Sequence, residues 1–143
     1  MEEEQQPALQ RPAVAAVHVL LVDGYALNAD LLAAYLAGVP HARFVGVVQS
    51  GEEALAAVSG RRPDLVLMDA GLPQFAAFEA TARIKALPDP PHIVILTTCD
   101  SEACRLRADR AGADGCLVKG RLIDELPAWI RHVLAVARPG TPQ

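Results

Sequence analysis

The chain has 143 residues, of which 52% are hydrophobic and 21% charged, with a formal net charge of −4. This length allows one domain with a core that needs no metal or disulfide, and the dispersed Lys and Arg argue against direct nucleic-acid binding. No apolar run approaches the roughly 20 residues of a membrane span, and the start MEEEQQPALQ is unlike a secretory leader, so we expect a cytoplasmic location and no membrane partner.

Five short runs rich in Val, Leu and Ile are predicted to form strands, and each is followed by a segment of helical periodicity. The predicted strands are VHVLLVD (17–23), ARFVGVVQ (42–49), DLVLMD (64–69), HIVILTT (92–98) and GCLVK (115–119). The predicted helices are Leu27–Ala37, Gly51–Val58, Phe75–Leu87, Ser101–Ala111 and Leu122–Ala137. Around this domain (16–137), residues 1–15 predict a flexible extension and residues 138–143 a linker or tail.

The strands are apolar at nearly every position, which indicates a parallel sheet covered by helices on both faces. Right-handed crossovers then give an α/β doubly wound sheet. For five strands of this size we expect the flavodoxin-like (βα)5 fold with strand order 2-1-3-4-5. The loops at the carboxyl ends of the strands should form the functional site.

Polar residues end four of the five predicted strands: Asp23, Asp69, Thr97 with Thr98, and Lys119. Each residue type also has an ordinary role, Asp as a cap or turn former, Thr in a strand and Lys in solvent. Together in one crevice they predict phosphorylation of a carboxylate, with Mg²⁺, a hydroxyl and an ammonium group stabilising the phosphoryl oxygens. Asp69 is the expected nucleophile because it ends the most apolar strand and precedes the turn AGLP.

The motifs VLLVDG, PDLVLMDAGLP, VILTTCD and GADGCLVKG, in this order and at this spacing, resemble the receiver domain of two-component response regulators. The resemblance extends from Val17 to Ala137 and includes GEEAL and FEATARIK. It is strongest to transcriptional regulators that carry a LuxR-type helix-turn-helix. It implies a non-enzymatic signalling domain that reaches DNA only through an effector domain not present in this chain. The closing letters ARPGTPQ are typical of a linker and favour a piece of a longer regulator.

The resemblance also implies roles for individual residues. Asp69 would accept the phosphoryl group from a histidine kinase, Thr97 would be the switch hydroxyl, and Lys119 would pair with the phosphate. Asp23, Asp69 and the backbone carbonyl of Gly71 would bind Mg²⁺.

Three departures from the family pattern predict a weakened switch. Gly24 stands where a second metal-binding acid is usual, so the Mg²⁺ site is expected to be weak or absent. Cys116 replaces the aromatic partner of the switch hydroxyl, and LPQFAAF replaces a loop richer in glycine. Asp100 is a candidate replacement for the missing acid. Gly71 and Cys99 offer no side chain to orient an attacking water, which predicts slow loss of any phosphoryl group.

Two other interpretations remain open. The first is a phosphorylation-independent module that binds a small ligand or holds a constitutive dimer. Homodimers of the family commonly use the face of the fourth helix, fifth strand and fifth helix. Here that face would carry Arg105, Arg107, Asp109, Arg110, Asp124 and Trp129. Trp129 is either a core residue or an interface anchor.

The second is a phosphatase, since VDGYAL faintly resembles a DxDGT motif. That alignment places Leu21 at the nucleophile position, which disables the chemistry. The odd set of Cys99, Cys104 and Cys116 argues against a disulfide framework and lacks partners for a zinc site. We therefore interpret the cysteines as small packing residues.

Overall fold

The computed structural model describes residues 16–24, 27–73 and 76–136. The predicted N-terminal extension, the predicted linker or tail, and the predicted helix ends at Phe75 and Ala137 lie outside these ranges. Part of the loop LPQFAAF, at positions 74 and 75, lies outside them as well.

Strands and helices alternate through the described chain. The strands are β1 (Val17–Val22), β2 (Ala42–Val48), β3 (Leu65–Asp69), β4 (His92–Thr97) and β5 (Gly115–Val118). The helices are α1 (Leu27–Ala37), α2 (Gly51–Arg61), α3 (Ala76–Lys85), α4 (Glu102–Arg110) and α5 (Leu122–Ala135), with a short 3₁₀ helix at Lys119–Arg121. The strands pair in parallel in the order β2-β1-β3-β4-β5, which confirms the predicted flavodoxin-like doubly wound sheet.

Two hydrophobic clusters lie on opposite faces of the sheet. Alternate side chains of β3, such as Met68 and Leu67, enter different clusters because successive strand residues point to opposite faces. The Met68 cluster includes residues of α2, α3 and α4, and the Leu67 cluster includes residues of α1 and α5. Every residue of β3 is buried, which explains the uninterrupted apolar run in its sequence.

Helix α2 is longer than the sequence predicts, running past Val58 to Arg61. It ends because Arg62 adopts the left-handed conformation, with φ 51°, and its N–H donates to the carbonyl of Val58. Gly60 is accommodated inside the helix. Helices α3, α4 and α5 match their predictions to within two residues at the ends that the structure describes.

A hydrogen bond between α1 and α5 compensates for a proline inside α5. Pro127 has no N–H, so it cannot donate to the carbonyl of Ile123 four residues earlier. The hydroxyl of Tyr35 on α1 donates to this carbonyl at 2.7 Å. The tyrosine therefore satisfies a backbone acceptor that the helix itself leaves open and joins the two helices on this face of the sheet.

We expect the Tyr35→Phe variant to lose about 1 kcal/mol of unfolding free energy, because the Ile123 carbonyl loses its donor. The same substitution in a Pro127→Ala background should cost less, since an alanine at position 127 restores an N–H for that carbonyl. Urea denaturation of the four proteins measures this coupling. Equal losses in the two backgrounds would contradict the compensation.

Candidate functional site

Two buried carboxylates lie at the carboxyl edge of the sheet. Asp23 follows β1 and is 2% exposed, and Asp69 ends β3 and is 4% exposed. The backbone of Asp23 is fixed by a 2.9 Å hydrogen bond from its N–H to the carbonyl of Val48 on β2. Parallel pairing of β1 with β3 brings both strand ends to the same edge, as the sequence predicted.

Oδ1 of Asp69 has two positively polarised neighbours. It accepts a hydrogen bond from the Gly71 N–H at 2.9 Å and lies 3.1 Å from Nζ of Lys119. A Cβ atom on Gly71 would stand only 3.3 Å from the same oxygen. Glycine at this position therefore lets the carboxylate lie against the backbone. Lys119 keeps 30% of its side chain exposed, so its ammonium group bridges the buried acid and solvent.

The hydroxyl of Thr97 lies at the end of β4, and it bonds to the loop that follows. It donates to the carbonyl of Cys99 at 3.0 Å and accepts from the Cys99 N–H at 3.2 Å. The bond to the Cys99 carbonyl must break before this hydroxyl can donate to a phosphoryl oxygen. The side chain is thus within the crevice but turned toward its own loop.

An open cavity of about 570 Å³ joins Asp69, Thr97 and Lys119. Its walls include Asp69, Gly71, Thr97, Thr98 and Lys119, together with Phe78, Ala103, Cys104 and Arg107, which were not singled out from the sequence for this crevice. The structure therefore brings the predicted nucleophile, hydroxyl and lysine into one crevice.

A second cavity, of about 260 Å³, lies between α1 and α5. Its walls are mostly apolar and include Leu32, Tyr35 and Leu122, with Asp23 and Lys119 also in the lining. Lys119 therefore borders both cavities. The sequence did not predict this space, because it depends on how two helices far apart in the chain meet.

The donor set suits Mg²⁺ in chemistry but is small. Asp23 and Asp69 supply carboxylates and Gly71 a backbone carbonyl, all hard oxygen donors of the kind that Mg²⁺ prefers. Within the described ranges, no group of three or more His, Cys, Asp or Glu side chains is arranged to hold a metal ion. Asp69 and Gly71 line the 570 Å³ crevice, whereas Asp23 borders the neighbouring cavity between α1 and α5.

Position 24 has room for a side chain. Gly24 is exposed, and a Cβ atom there would meet only Leu72 Cδ2, at an ordinary contact distance of 3.8 Å. Its φ lies outside the left-handed region that requires glycine. The backbone therefore does not demand glycine at this point, and a Cβ atom fits there.

Asp100 and Cys116 occupy environments that bear on their predicted roles. Asp100 forms an ion pair with Arg105 on α4, so its carboxylate is engaged by a cation outside the acid pair. Cys116 is half-buried on β5, and burial together with the neighbouring Cys104 thiol raises its pKa to about 11. It is therefore a neutral thiol at physiological pH.

The face of α4, β5 and α5 carries exposed charges at Arg105, Arg107, Asp109, Arg110 and Asp124. Trp129 is half-buried and packs on the core cluster shared with α1. Its ring lies over Gly115, where a Cβ atom would overlap the indole. The structure thus gives Trp129 a packing role within the domain and leaves part of its ring at the surface.

No helix in the described part of the chain is both long and apolar enough to cross a membrane.

The fold and crevice define a small doubly wound α/β protein with acids, a hydroxyl and a lysine at the carboxyl edge of its sheet. A family model described as the response regulator receiver domain matches residues 19–131. The chain belongs to this family of two-component signalling domains, as its sequence motifs predicted.

Named relatives agree with this assignment. Response regulator GacA of Pseudomonas aeruginosa is 32% identical over 127 residues, which are 89% of this chain and 59% of that protein. A protein-glutamate methylesterase/protein-glutamine glutaminase of Syntrophus aciditrophicus is 41% identical over 105 residues, or 72% of this chain and 30% of that protein. The chain thus spans less than two thirds of the length of either relative.

Solved structures give the same picture. A LuxR-family two-component response regulator from Aurantimonas sp. SI85-9A1 has a TM-score of 0.76 and 28% identity, covering 87% of this chain and 89% of its own. The response regulator domain of Thermotoga maritima CheB has a TM-score of 0.75 and 25% identity, covering 85% of this chain and 98% of its own. The predicted similarity to LuxR-type regulators is therefore confirmed.

Proposed function

We propose that Asp69 accepts a phosphoryl group from a histidine kinase, and that Gly24 makes this reaction weak by leaving the Mg²⁺ site one acid short. The observation that carries the proposal is the contact of Asp69 with both the Lys119 ammonium group and the Gly71 N–H, in a crevice shared with Thr97. This chain would act as a signalling domain with no turnover of its own.

The reaction is an in-line displacement at phosphorus. A carboxylate oxygen of Asp69 attacks the phosphoryl group, the bond from phosphorus to the donor breaks, and an acyl phosphate forms on Asp69. With phosphohistidine the leaving group is the imidazole nitrogen, and with acetyl phosphate it is acetate. Lys119 can then pair with the new phosphoryl oxygens, since it already lies 3.1 Å from Oδ1.

When bound, Mg²⁺ would neutralise charge on the transferring phosphoryl group. Asp23, Asp69 and the Gly71 carbonyl would hold it. Losses of supporting groups around a metal cost about 10- to 100-fold in affinity or activity, so the loss of a direct acidic ligand should cost at least about tenfold. The proposal therefore expects a slow phosphoryl transfer that needs a high Mg²⁺ concentration.

Phosphorylation of Asp69 would also be coupled only weakly to a conformational change in the rest of the domain. Thr97 must give up its hydrogen bond to the Cys99 carbonyl before its hydroxyl can donate to a phosphoryl oxygen. Cys116 has no ring to follow that movement. The proposal also includes homodimerisation through the face of α4, β5 and α5. It further includes control of transcription through an effector domain outside these 143 residues.

Acetyl phosphate labelling followed by intact mass spectrometry tests the proposal. We expect wild type to gain a phosphoryl group at elevated Mg²⁺ and the Asp69→Asn variant to gain none, because the amide is not a nucleophile. Asp109→Asn, which removes an exposed carboxylate on α4, is the matched control and should be labelled like wild type. Equal labelling of wild type and Asp69→Asn would contradict the assignment of Asp69.

The 260 Å³ cavity favours a second candidate, a module that binds a small molecule or dimerises without phosphorylation. Its apolar walls and the two charged groups that border it have the character of a ligand site. Sedimentation with and without beryllofluoride separates the candidates. A dimer that forms only with this phosphate mimic supports the phosphorylated receiver, whereas a dimer that ignores it supports the module.

A further inference from the structure

We propose that Cys104 and Cys116 form an oxidisable dithiol site, which a hydroperoxide converts into a disulfide linking α4 to β5. This inference does not depend on phosphorylation of Asp69. It departs from the sequence-based interpretation of Cys104 and Cys116 as small packing residues.

Helix α4 and strand β5 bring the two thiols together. Cys104 lies in the first turn of α4, where its N–H is held by the hydroxyl of Ser101 at 3.1 Å. Ala108, one turn further along, belongs to the buried cluster against which Cys116 of β5 packs. Residues four apart share one face of a helix, so Cys104 faces β5 as well. The Cys104 thiol lies within hydrogen-bonding reach of the Cys116 thiol.

The two cysteines differ in their access to the crevice. Cys104 lines the open 570 Å³ crevice, so a small oxidant can reach it without any opening of the core. Cys116 is absent from that lining, and burial raises its pKa to about 11, which keeps it protonated. Cys104 is therefore the sulfur that meets the oxidant first, and Cys116 is the resolving thiol.

The proposed chemistry balances in two steps. The Cys104 thiol releases its proton, and the thiolate attacks the terminal oxygen of the hydroperoxide. The O–O bond breaks, a sulfenic acid forms, and the departing oxygen takes up the released proton to give an alcohol (water from hydrogen peroxide). The Cys116 sulfur then attacks the sulfenic sulfur, the S–O bond breaks, and water leaves with the thiol proton. Two thiols together lose two electrons and two protons, and the peroxide is reduced.

Formation of the bond requires a small local movement. The two neighbouring sulfurs must approach to about 2 Å, the length of a disulfide bond. This would fix the first turn of α4 against β5. The loop before α4 contains Cys99, whose backbone holds the Thr97 hydroxyl, so oxidation would also restrain that hydroxyl.

Peptide mapping of the purified chain after one equivalent of hydrogen peroxide tests the proposal. We expect wild type to lose two of its three thiols, to lose the mass of two hydrogen atoms as a monomer, and to yield a Cys104–Cys116 peptide. Dithiothreitol should restore both thiols. Cys99→Ser is the matched control, because it removes the exposed cysteine and should form the same disulfide.

Single variants at the pair complete the test. Cys116→Ser should stop at a sulfenic acid on Cys104, detectable with dimedone, and Cys104→Ser should keep its Cys116 thiol reduced under the same treatment. Thiol counts and peptide masses measure these reactions, so the test remains informative even if Asp69 is never phosphorylated. Two results would overturn the proposal. One is oxidation that yields only dimers linked through Cys99, and the other is a sulfinic acid on Cys104 in wild type without the cross-linked peptide.

Discussion

The Gly24→Asp variant should bind Mg²⁺ at least about ten times more tightly than wild type, and Asp69 should be labelled by acetyl phosphate at a correspondingly lower Mg²⁺ concentration. The physical reason is the added carboxylate next to Asp23, at the edge of the sheet where Asp69 also lies. The backbone at position 24 accepts a side chain without strain, and the nearest heavy atom to its Cβ would be Leu72 Cδ2 at 3.8 Å. Isothermal titration with Mg²⁺ measures the affinity.

Gly60→Asp is the matched control for this gain. Gly60 lies in α2, is exposed, and has no heavy atom within 4 Å of the position of a Cβ atom. The substitution therefore adds the same charge to the same type of residue, away from the crevice, and should leave Mg²⁺ binding unchanged. Equal affinity of wild type and Gly24→Asp would show that the missing acid does not limit the site.

Truncation of Leu67 to alanine should lower the free energy of unfolding by about 2 to 5 kcal/mol. Leu67 is fully buried in β3, the central strand, and its partners in the sheet are Leu21 of β1 and Val94 of β4. Its side chain enters the cluster beneath α1 and α5, so its removal leaves a cavity that neighbouring strands cannot close. Because domains of this size are stable by only about 5 to 15 kcal/mol, the variant should unfold at a much lower urea concentration.

Leu106→Ala removes the same atoms from a surface site and is the control for the Leu67 variant. Leu106 lies on α4 and is 48% exposed, so its loss should cost about 0.5 kcal/mol or less. A similar cost at both positions would contradict a sheet that is covered on both of its faces.

The sequence was sufficient for the fold because its strongest patterns are local. Strands β1, β3 and β4 are mostly apolar and buried, as expected for a parallel sheet covered on both faces. The bounds of α1 match the prediction at both ends. The crevice followed from the same pattern, since each parallel strand carries its final polar residue to one edge. Asp69, Thr97 and Lys119 accordingly meet where the motifs indicated.

Features that depend on tertiary contacts could not be predicted in this way. Pro127 inside α5 is tolerated together with a hydroxyl supplied by Tyr35, which lies far earlier in the chain. The contact of Cys104 with Cys116 likewise depends on how α4 packs on β5. Helix α2 extends to Arg61 because Arg62 adopts the left-handed conformation. The sequence carries only a weak signal for this conformation at a residue other than glycine. The predicted strand order already places α4 beside β5. The position of Cys104 on the face of α4 that packs on β5 was the one signal that could have indicated its contact with Cys116.

The most direct test of the proposed weak phosphoacceptor is the Mg²⁺ dependence of Asp69 labelling in the unmodified protein. Acetyl phosphate is held constant, Mg²⁺ is varied, and the phosphorylated fraction is measured by intact mass, with Asp69→Asn as the blank. The account predicts labelling that stays far below saturation at about millimolar Mg²⁺ and rises well above that concentration. Rapid and complete labelling of Asp69 at millimolar Mg²⁺ would contradict it.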